Sequence, residues 1–156
     1  MIFRGEYWFL SNMYPCPVAI NIAGKDYMFS CAEAAYQACK SDDAMYLKEM
    51  SHLDGFAAKR RGRLVEMTNE TRKLWNESRE VIMETVVRAK FAQNPALLQK
   101  LKLIEGDIIE ENTWHDKFWG CCLEIKANST TGESEEVLIG ENKLGKLLMK
   151  IRDESI

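Results

Sequence analysis

Two spacings of apolar positions divide this chain. Near the start, Val18-Ala-Ile-Asn-Ile-Ala and Tyr27-Met-Phe29 lie on either side of Gly24-Lys-Asp. That pattern predicts two short strands joined by a tight turn. Ser30 then stands as a helix N-cap with Glu33 three positions on, the spacing of a capping box, before a helix from Cys31 to about Lys40. Ser41-Asp-Asp opens a second helix through about Met50, and Asp54 caps a third that breaks near Gly62. The longest helix is expected from about Asn69 to Gln93. Its Ile82, Met83, Val86, Val87 and Phe91 recur at the spacing of one core-facing stripe. Asn94-Pro95 ends it and restarts a helix, because asparagine caps and proline suits the first helical position. Leu97, Leu98, Leu101 and Leu103 continue the apolar pattern.

After Gly106 the helical spacing gives way. Asp107-Ile-Ile-Glu-Glu111, Cys121-Cys-Leu-Glu-Ile-Lys126 and Glu136-Val-Leu-Ile139 predict three strands, with a loop from Asn128 to Ser134. An amphipathic helix from about Lys143 to Asp153 closes the pattern. The first residues are rich in aromatics (Phe3, Tyr7, Trp8, Phe9, Tyr14) without a regular period. No repeat or linker interrupts the chain. The expectation is one α+β domain over residues 1–156.

Composition narrows the function classes. The 156 residues are 46% hydrophobic and 29% charged, as in ordinary soluble globular proteins. No apolar run approaches the roughly 20 residues that span a bilayer. The start, Met-Ile-Phe-Arg-Gly-Glu-Tyr, lacks the basic and apolar regions of a signal peptide, so a cytoplasmic location and no membrane partner are expected. The five cysteines, Cys16, Cys31, Cys39, Cys121 and Cys122, form no CxxC pair and read as reduced buried thiols. With two histidines and no HExxH pattern, no metal site is expected. No cofactor is expected either, since GxGxxG is absent. A net charge of −3 disfavours a protein that lives on long nucleic acid. It leaves room for a local basic pocket, and Lys59-Arg-Arg-Gly-Arg63 places four cations within five residues.

Three constellations could carry chemistry. Glu33, Tyr36, Gln37 and Lys40 fall at i, i+3, i+4 and i+7, so they share one helix face among small alanines. Glu33 is either a capping-box carboxylate or part of a catalytic wall. Lys40 stands two turns away, about 10 Å along the axis, which leaves space for a substrate between them. The second is Thr113-Trp-His-Asp-Lys-Phe-Trp-Gly120. It reads either as an aromatic plug with Asp116 capping a turn, or as a stacking platform with Asp116 touching a ribose or a developing cation. The third, Gly140-Glu-Asn-Lys-Leu-Gly145-Lys146, has the GxxxxGK spacing of a phosphate loop. Leu147 follows it, where a magnesium-holding Ser or Thr would be required. What survives is an anion at the amides of this helix start.

The order of these pieces is specific. Phe3-Arg-Gly-Glu-Tyr-Trp-Phe-Leu-Ser-Asn12, Ala32-Glu-Ala-Ala-Tyr-Gln-Ala-Cys-Lys40 and Ala57-Ala-Lys-Arg-Arg-Gly-Arg63 come first. Trp75 with Arg79, Ala89-Lys-Phe-Ala-Gln93, Asp116-Lys-Phe-Trp-Gly120 and Gly140-Glu-Asn-Lys-Leu-Gly-Lys-Leu-Leu-Met149 with Arg152 follow. Together they resemble the NADAR superfamily, the YbiA-like N-glycosidases, over nearly the whole chain. The resemblance implies a compact, mainly helical α+β domain with a small sheet and N-glycosidase activity. Some members hydrolyse early riboflavin-pathway intermediates, releasing ribose 5-phosphate from a pyrimidine amine. Others remove ADP-ribose from modified guanine.

Carried over by motif position, the resemblance implies Glu33, Lys40, Asp116 and Trp119 as catalytic residues. Arg4, Phe9, Ser11, Asn12, Tyr36 and Lys59 become pocket-wall or phosphate contacts, as do Arg63, Trp75 and Asn142. Gly5 in the first motif, Gln37 on the Glu33 face and Gly145 at the last helix complete the expected substrate contacts. About 20 residues separate Gly120 from Gly140, where a short glycine-rich link is common in the family.

Breaking a C1′–N bond builds positive charge on the sugar and negative charge on the leaving nitrogen. Glu33 is therefore expected to do acid–base work, and Asp116 to orient the sugar or stabilise the cation. Trp119, with Trp114 or Trp75, would stack the heterocycle. Lys40 either neutralises a phosphate or attacks C1′ and forms an imine. Lys59 and Arg63 would hold the phosphate. The expected partner is a small-molecule nucleotide or ADP-ribosylated guanine, with contact to modified nucleic acid left open. A non-catalytic ADP-ribose or NAD-binding module would use the same pocket.

Overall fold

The computed structural model describes every residue from Met1 to Ile156. Six α-helices and one short 3-10 helix accompany two separate two-stranded antiparallel sheets, an α+β fold. No helix is long and apolar enough to cross a membrane. The chain forms two units, one of Ser11–Gln99 and one of Met1–Leu10 with Lys100–Ile156.

In the Ser11–Gln99 unit, β1 (Val18–Ile22) pairs with β2 (Lys25–Phe29) in a hairpin running from Val18↔Phe29 to Ile22↔Lys25. Its two turn residues, Ala23 and Gly24, have φ of 52° and 83°, the left-handed pair that suits the right-handed twist of the strands. Helices α1 (Ala32–Ala38), α2 (Ala44–Met50), α3 (Gly55–Gly62) and α4 (Asn69–Gln93) follow. Asp43, Asp54 and Thr68 cap α2, α3 and α4, accepting from Tyr46 N at 3.2 Å, Ala57 N at 2.8 Å and Thr71 N at 3.1 Å. The buried stripe of α4 is Met83, Val86, Val87 and Phe91, with Lys90 set among them, while Ile82, expected in the same stripe, is only half-buried. Helix α5 (Pro95–Lys102) restarts at the expected proline.

Every residue of α1 is buried. Alanines at 32, 34, 35 and 38 bring its backbone close to α2, α3 and α4, so its polar residues are carried inside with it. The capping box expected there is not formed. The N-cap is Cys31, without a side-chain cap bond, and Ser30 Oγ instead donates to Leu53 O at 2.6 Å. Ser30 lies in range of a tertiary carbonyl, which competes with the local amide for its hydroxyl.

In the other unit, Gly5–Leu10 forms the 3-10 helix, and β3 (Cys122–Ala127) pairs with β4 (Ser134–Ile139). The long stretch between Gly120 and Gly140 is this hairpin. Helix α6 (Lys143–Glu154) buries Leu144, Leu148 and Ile151. The strand expected at 107–111 is absent, leaving only isolated bridges from Glu111 to Ile2 and to Cys121. The segment is extended, but its backbone is largely satisfied by other means. Asn142 Nδ2 donates to Ile108 O at 2.9 Å, and Asn142 Oδ1 accepts from Glu110 N at 2.9 Å. Glu111 N donates to Met1 O at 3.2 Å.

Candidate active site

The buried face of α1 organises the first group. Glu33 is 8% exposed and Gln37 is 6% exposed. Gln37 Nε2 donates to Glu33 Oε1 at 2.8 Å, one helical turn apart. Glu33 N donates to Asn12 O at 2.9 Å, tying the start of α1 to the Ser11–Tyr14 turn. Asn12 Nδ2 points at Met83 Sδ, 3.3 Å away, while Asn12 Oδ1 and Gln37 Oε1 are buried without a hydrogen-bond partner.

Lys40 lies just past the C-cap of α1, its N donating to Gln37 O at 3.2 Å. Its Nζ donates to Gly62 O at 3.3 Å and stands 5.5 Å from the centre of the Trp75 ring. Trp75 in turn meets Tyr36 at 5.1 Å between ring centres. Burial pushes the Lys40 ammonium below its ordinary range, Arg63 and Arg72 push it further, and Glu33 opposes them. The α1 face thus holds a buried carboxylate, an ammonium of weakened basicity and an aromatic wall within one unit. Lys59 is half-buried and Arg63 exposed at the C-terminal end of α3. Arg61, from the same cationic run, is occupied by Glu49 through Nε at 3.1 Å and lies over the Tyr46 ring. Ser11 presents its carbonyl to Lys90 Nζ at 2.9 Å and its hydroxyl to Met13 N at 3.1 Å.

The other unit holds the second group. Asp116 Oδ1 accepts from Phe118 N at 3.0 Å and Trp119 N at 2.9 Å, so Asp116 caps a turn. Trp119 is half-buried, edge-on to Phe118 at 4.7 Å. The turn is held by Asn112, whose Nδ2 donates to Asp116 O at 2.8 Å and to Glu110 Oε2 at 2.9 Å. Asn112 Oδ1 accepts from Asp116 N at 3.1 Å. Arg4 and Gly5 are exposed where the 3-10 helix begins, and Phe9 is core.

Two expected substrate contacts, Asn142 and Gly145, carry structural duties. Both ends of the Asn142 amide bond the 108–110 backbone, and its φ of 51° is left-handed. Gly145 is buried, and a Cβ there would overlap Ile108 O and the Asn142 amide. Close packing by α6, rather than an anion at its amides, accounts for that glycine.

Three residues of these groups escaped the sequence reading. Glu110 and Asn112 carry no spacing signature, and Gly62 drew notice only as a helix break and a member of the cationic run. No group of three or more His, Cys, Asp or Glu side chains is placed to hold a metal ion. All five cysteines are free, and burial pushes the Cys39 thiol up to about 11.

The family model described as the NADAR domain matches residues 2–155. The chain is 34% identical over 151 residues to a riboflavin biosynthesis protein of Vibrio vulnificus, covering 96% of this chain and 36% of that protein. It is 36% identical over 94 residues to an N-glycosidase of Acanthamoeba polyphaga mimivirus, covering 60% of this chain and 53% of that protein. It therefore spans a third to a half of these two relatives' length. The N-glycosidase YbiA of Escherichia coli is 29% identical over 150 residues, which cover 82% of it. The NMR structure of that protein aligns with 99% of this chain and 83% of its own, with a TM-score of 0.70 and 25% identity.

Proposed function

We propose, from the premise that this chain belongs to the NADAR domain family, that it is a hydrolase of N-glycosyl bonds. It would cleave the bond between a ribose-type C1′ and a nitrogen of a nucleotide-like substrate. The observation that carries this reading is the buried Glu33 carboxylate, fixed by Gln37, on the helix that leads to Lys40 under Trp75. Relatives named as N-glycosidases and as a riboflavin biosynthesis protein support N-glycosyl chemistry in general.

In the proposed reaction Glu33 delivers a proton to the leaving nitrogen as the C1′–N bond breaks. Lys40 has two roles to choose between. As an ammonium it neutralises a substrate phosphate together with Lys59 and Arg63. As a neutral amine it bonds C1′ while the nitrogen departs, and ring opening gives an imine that water hydrolyses to the free sugar and Lys40. The lowered basicity of Lys40 favours the second. Substrate candidates are an early riboflavin-pathway intermediate, a phosphoribosylamino-pyrimidine, and ADP-ribose joined to guanine. The net charge of −3 favours the small molecule. The proposal rests on the Ser11–Gln99 unit, while Asp116 and Trp119 are contributed by the resemblance.

Mass spectrometry of the products from both substrates tests it. Ribose 5-phosphate from the first identifies a metabolite N-glycosidase, and free ADP-ribose from the second identifies reversal of guanine modification. If neither is cleaved while ADP-ribose raises the melting temperature, the protein is a binding module and the hydrolase reading falls.

A further inference from the structure

Gly62 is the last residue of α3 and is buried. Its φ does not call for glycine, since the positive-φ glycines are Gly5, Gly24, Gly106, Gly132 and Gly140. What the position does require is space. A Cβ on Gly62 would overlap Gln37 Oε1 and stand 2.9 Å from Gln37 Cδ. The Gln37 carboxamide therefore occupies the space beside Gly62 that a Cβ would take, with its oxygen on the Gly62 side and its Nε2 bonded to Glu33 Oε1. Gly62's carbonyl also receives the Lys40 ammonium at 3.3 Å. The backbone of Gln37 is anchored as well, its carbonyl accepting from Tyr46 OH at 2.7 Å.

We propose that Gln37 and Gly62 form a latch. The bare Gly62 backbone seats the Gln37 amide so that it aims Glu33, and the Gly62 carbonyl aims Lys40. This rests on the reading of Glu33 and Lys40 as the reacting pair. It reassigns Gln37 from substrate contact to positioning residue, and it gives a buried unpaired carboxamide oxygen a reason to exist. That oxygen has no hydrogen-bond partner and fills the space that a side chain at Gly62 would take. While Glu33 is ionised, turning the amide over would set its oxygen against the carboxylate, so the donor faces Glu33 in that state.

The competing account is that Gly62 is merely small, letting α1 and α3 approach. It predicts that substitution costs stability alone. The latch predicts in addition that the Glu33 carboxylate loses a donor, which raises its protonation midpoint. Charged groups already act here. Lys40 and the Cys31 thiol both sense Glu33, and Lys40 also senses Arg63 from α3 and Arg72 from α4, so the comparison is made against wild type with all of them in place.

The experiment is a carboxyl-carbon NMR titration of the full chain labelled at the glutamate carboxyls, with the Glu33 signal assigned by its loss in Glu33→Gln. Gln37→Met keeps the length and volume but removes the donor. Gly62→Ala leaves Gln37 in place and pushes its amide away. Both variants are expected to raise the Glu33 midpoint by about one unit or more. With a cleavable substrate, kcat should fall on the order of 10- to 100-fold, with KM little changed. A Glu33 midpoint that stays at the wild-type value in Gln37→Met overturns the latch, and that variant decides the matter alone if Gly62→Ala does not fold. The titration needs no substrate. Absence of cleavage by wild type therefore sinks the hydrolase reading separately, while intact cleavage with an unmoved midpoint sinks only the latch.

Discussion

Replacing Lys90 with methionine should remove a gain in stability that this protein makes in alkali. Lys90 is 1% exposed, in the apolar stripe of α4, with its ammonium bonded to Ser11 O at 2.9 Å. Burial pushes it from 10.5 to about 8. Below about pH 8 both the folded and the unfolded chain carry the proton, and the full penalty of a buried charge applies. Between about 8 and 10.5 the folded protein has released the proton while the unfolded chain keeps it. The unfolded state then binds more protons, and stability rises with pH. The gap corresponds to about 3 kcal/mol. Other groups titrate nearby with the opposite sign. Cys39 is held up at about 11 and Tyr46 at about 12, so each loses stability as pH climbs past its ordinary value. The Cys39 and Tyr46 contributions are common to wild type and Lys90→Met and cancel in the difference, whereas Cys16 and Cys31, whose charges act on Lys90, remain in it. Urea unfolding of both proteins, under reducing conditions at pH 7, 8, 9 and 10, reads that difference. Wild type should gain on the variant by about 2.5 kcal/mol between pH 7 and pH 10, with the change setting in above pH 8. A difference constant to within about 0.5 kcal/mol would refute the reasoning, since extrapolation errors are of that order.

Three further outcomes follow from the same structure. Glu33→Gln should lower kcat on the order of 10²- to 10⁴-fold on the cleaved substrate, and an unchanged kcat returns Glu33 to a purely structural role. Asn142→Leu strands the Glu110 amide and the Ile108 carbonyl and puts a branched side chain at a left-handed φ. It should destabilise the fold by about 3 kcal/mol or more; a substrate contact would instead weaken binding with the melting temperature intact. Borohydride should trap a sugar adduct on Lys40, with a yield rising with pH through a midpoint below 10.5, since burial lowers that amine. No adduct in wild type at any pH would leave Lys40 its electrostatic role.

The candidate site was partly legible because one of its devices is local. Residues four apart on a helix share a face, so Glu33 and Gln37 could be paired from spacing alone. Spacing does not say whether that face meets water or protein. The alanines of α1 hinted at close approach, but only α2, α3 and α4 packed around it turn Glu33 into a buried carboxylate. Gly62 was invisible for the same reason. Its contribution is an absence of atoms opposite a side chain 25 positions earlier, and a glycine within a basic run carries no mark of it.

What the sequence by itself determined is the set of elements whose signals lie within a few residues. Helix α4 runs from Asn69 to Gln93 as its stripe predicts, Asp43 and Asp54 cap where they stand, and Pro95 restarts a helix. Periodicity and capping act over one or two turns, where the chain has little choice. The tertiary structure alone decided the cases where a local partner and a distant one compete. Ser30 left its capping box for the carbonyl of Leu53, and residues 107–111 satisfied much of their backbone through Asn142 and Met1 rather than a ladder. A polar group takes whichever partner packing brings into range, and that is settled only when distant segments have met.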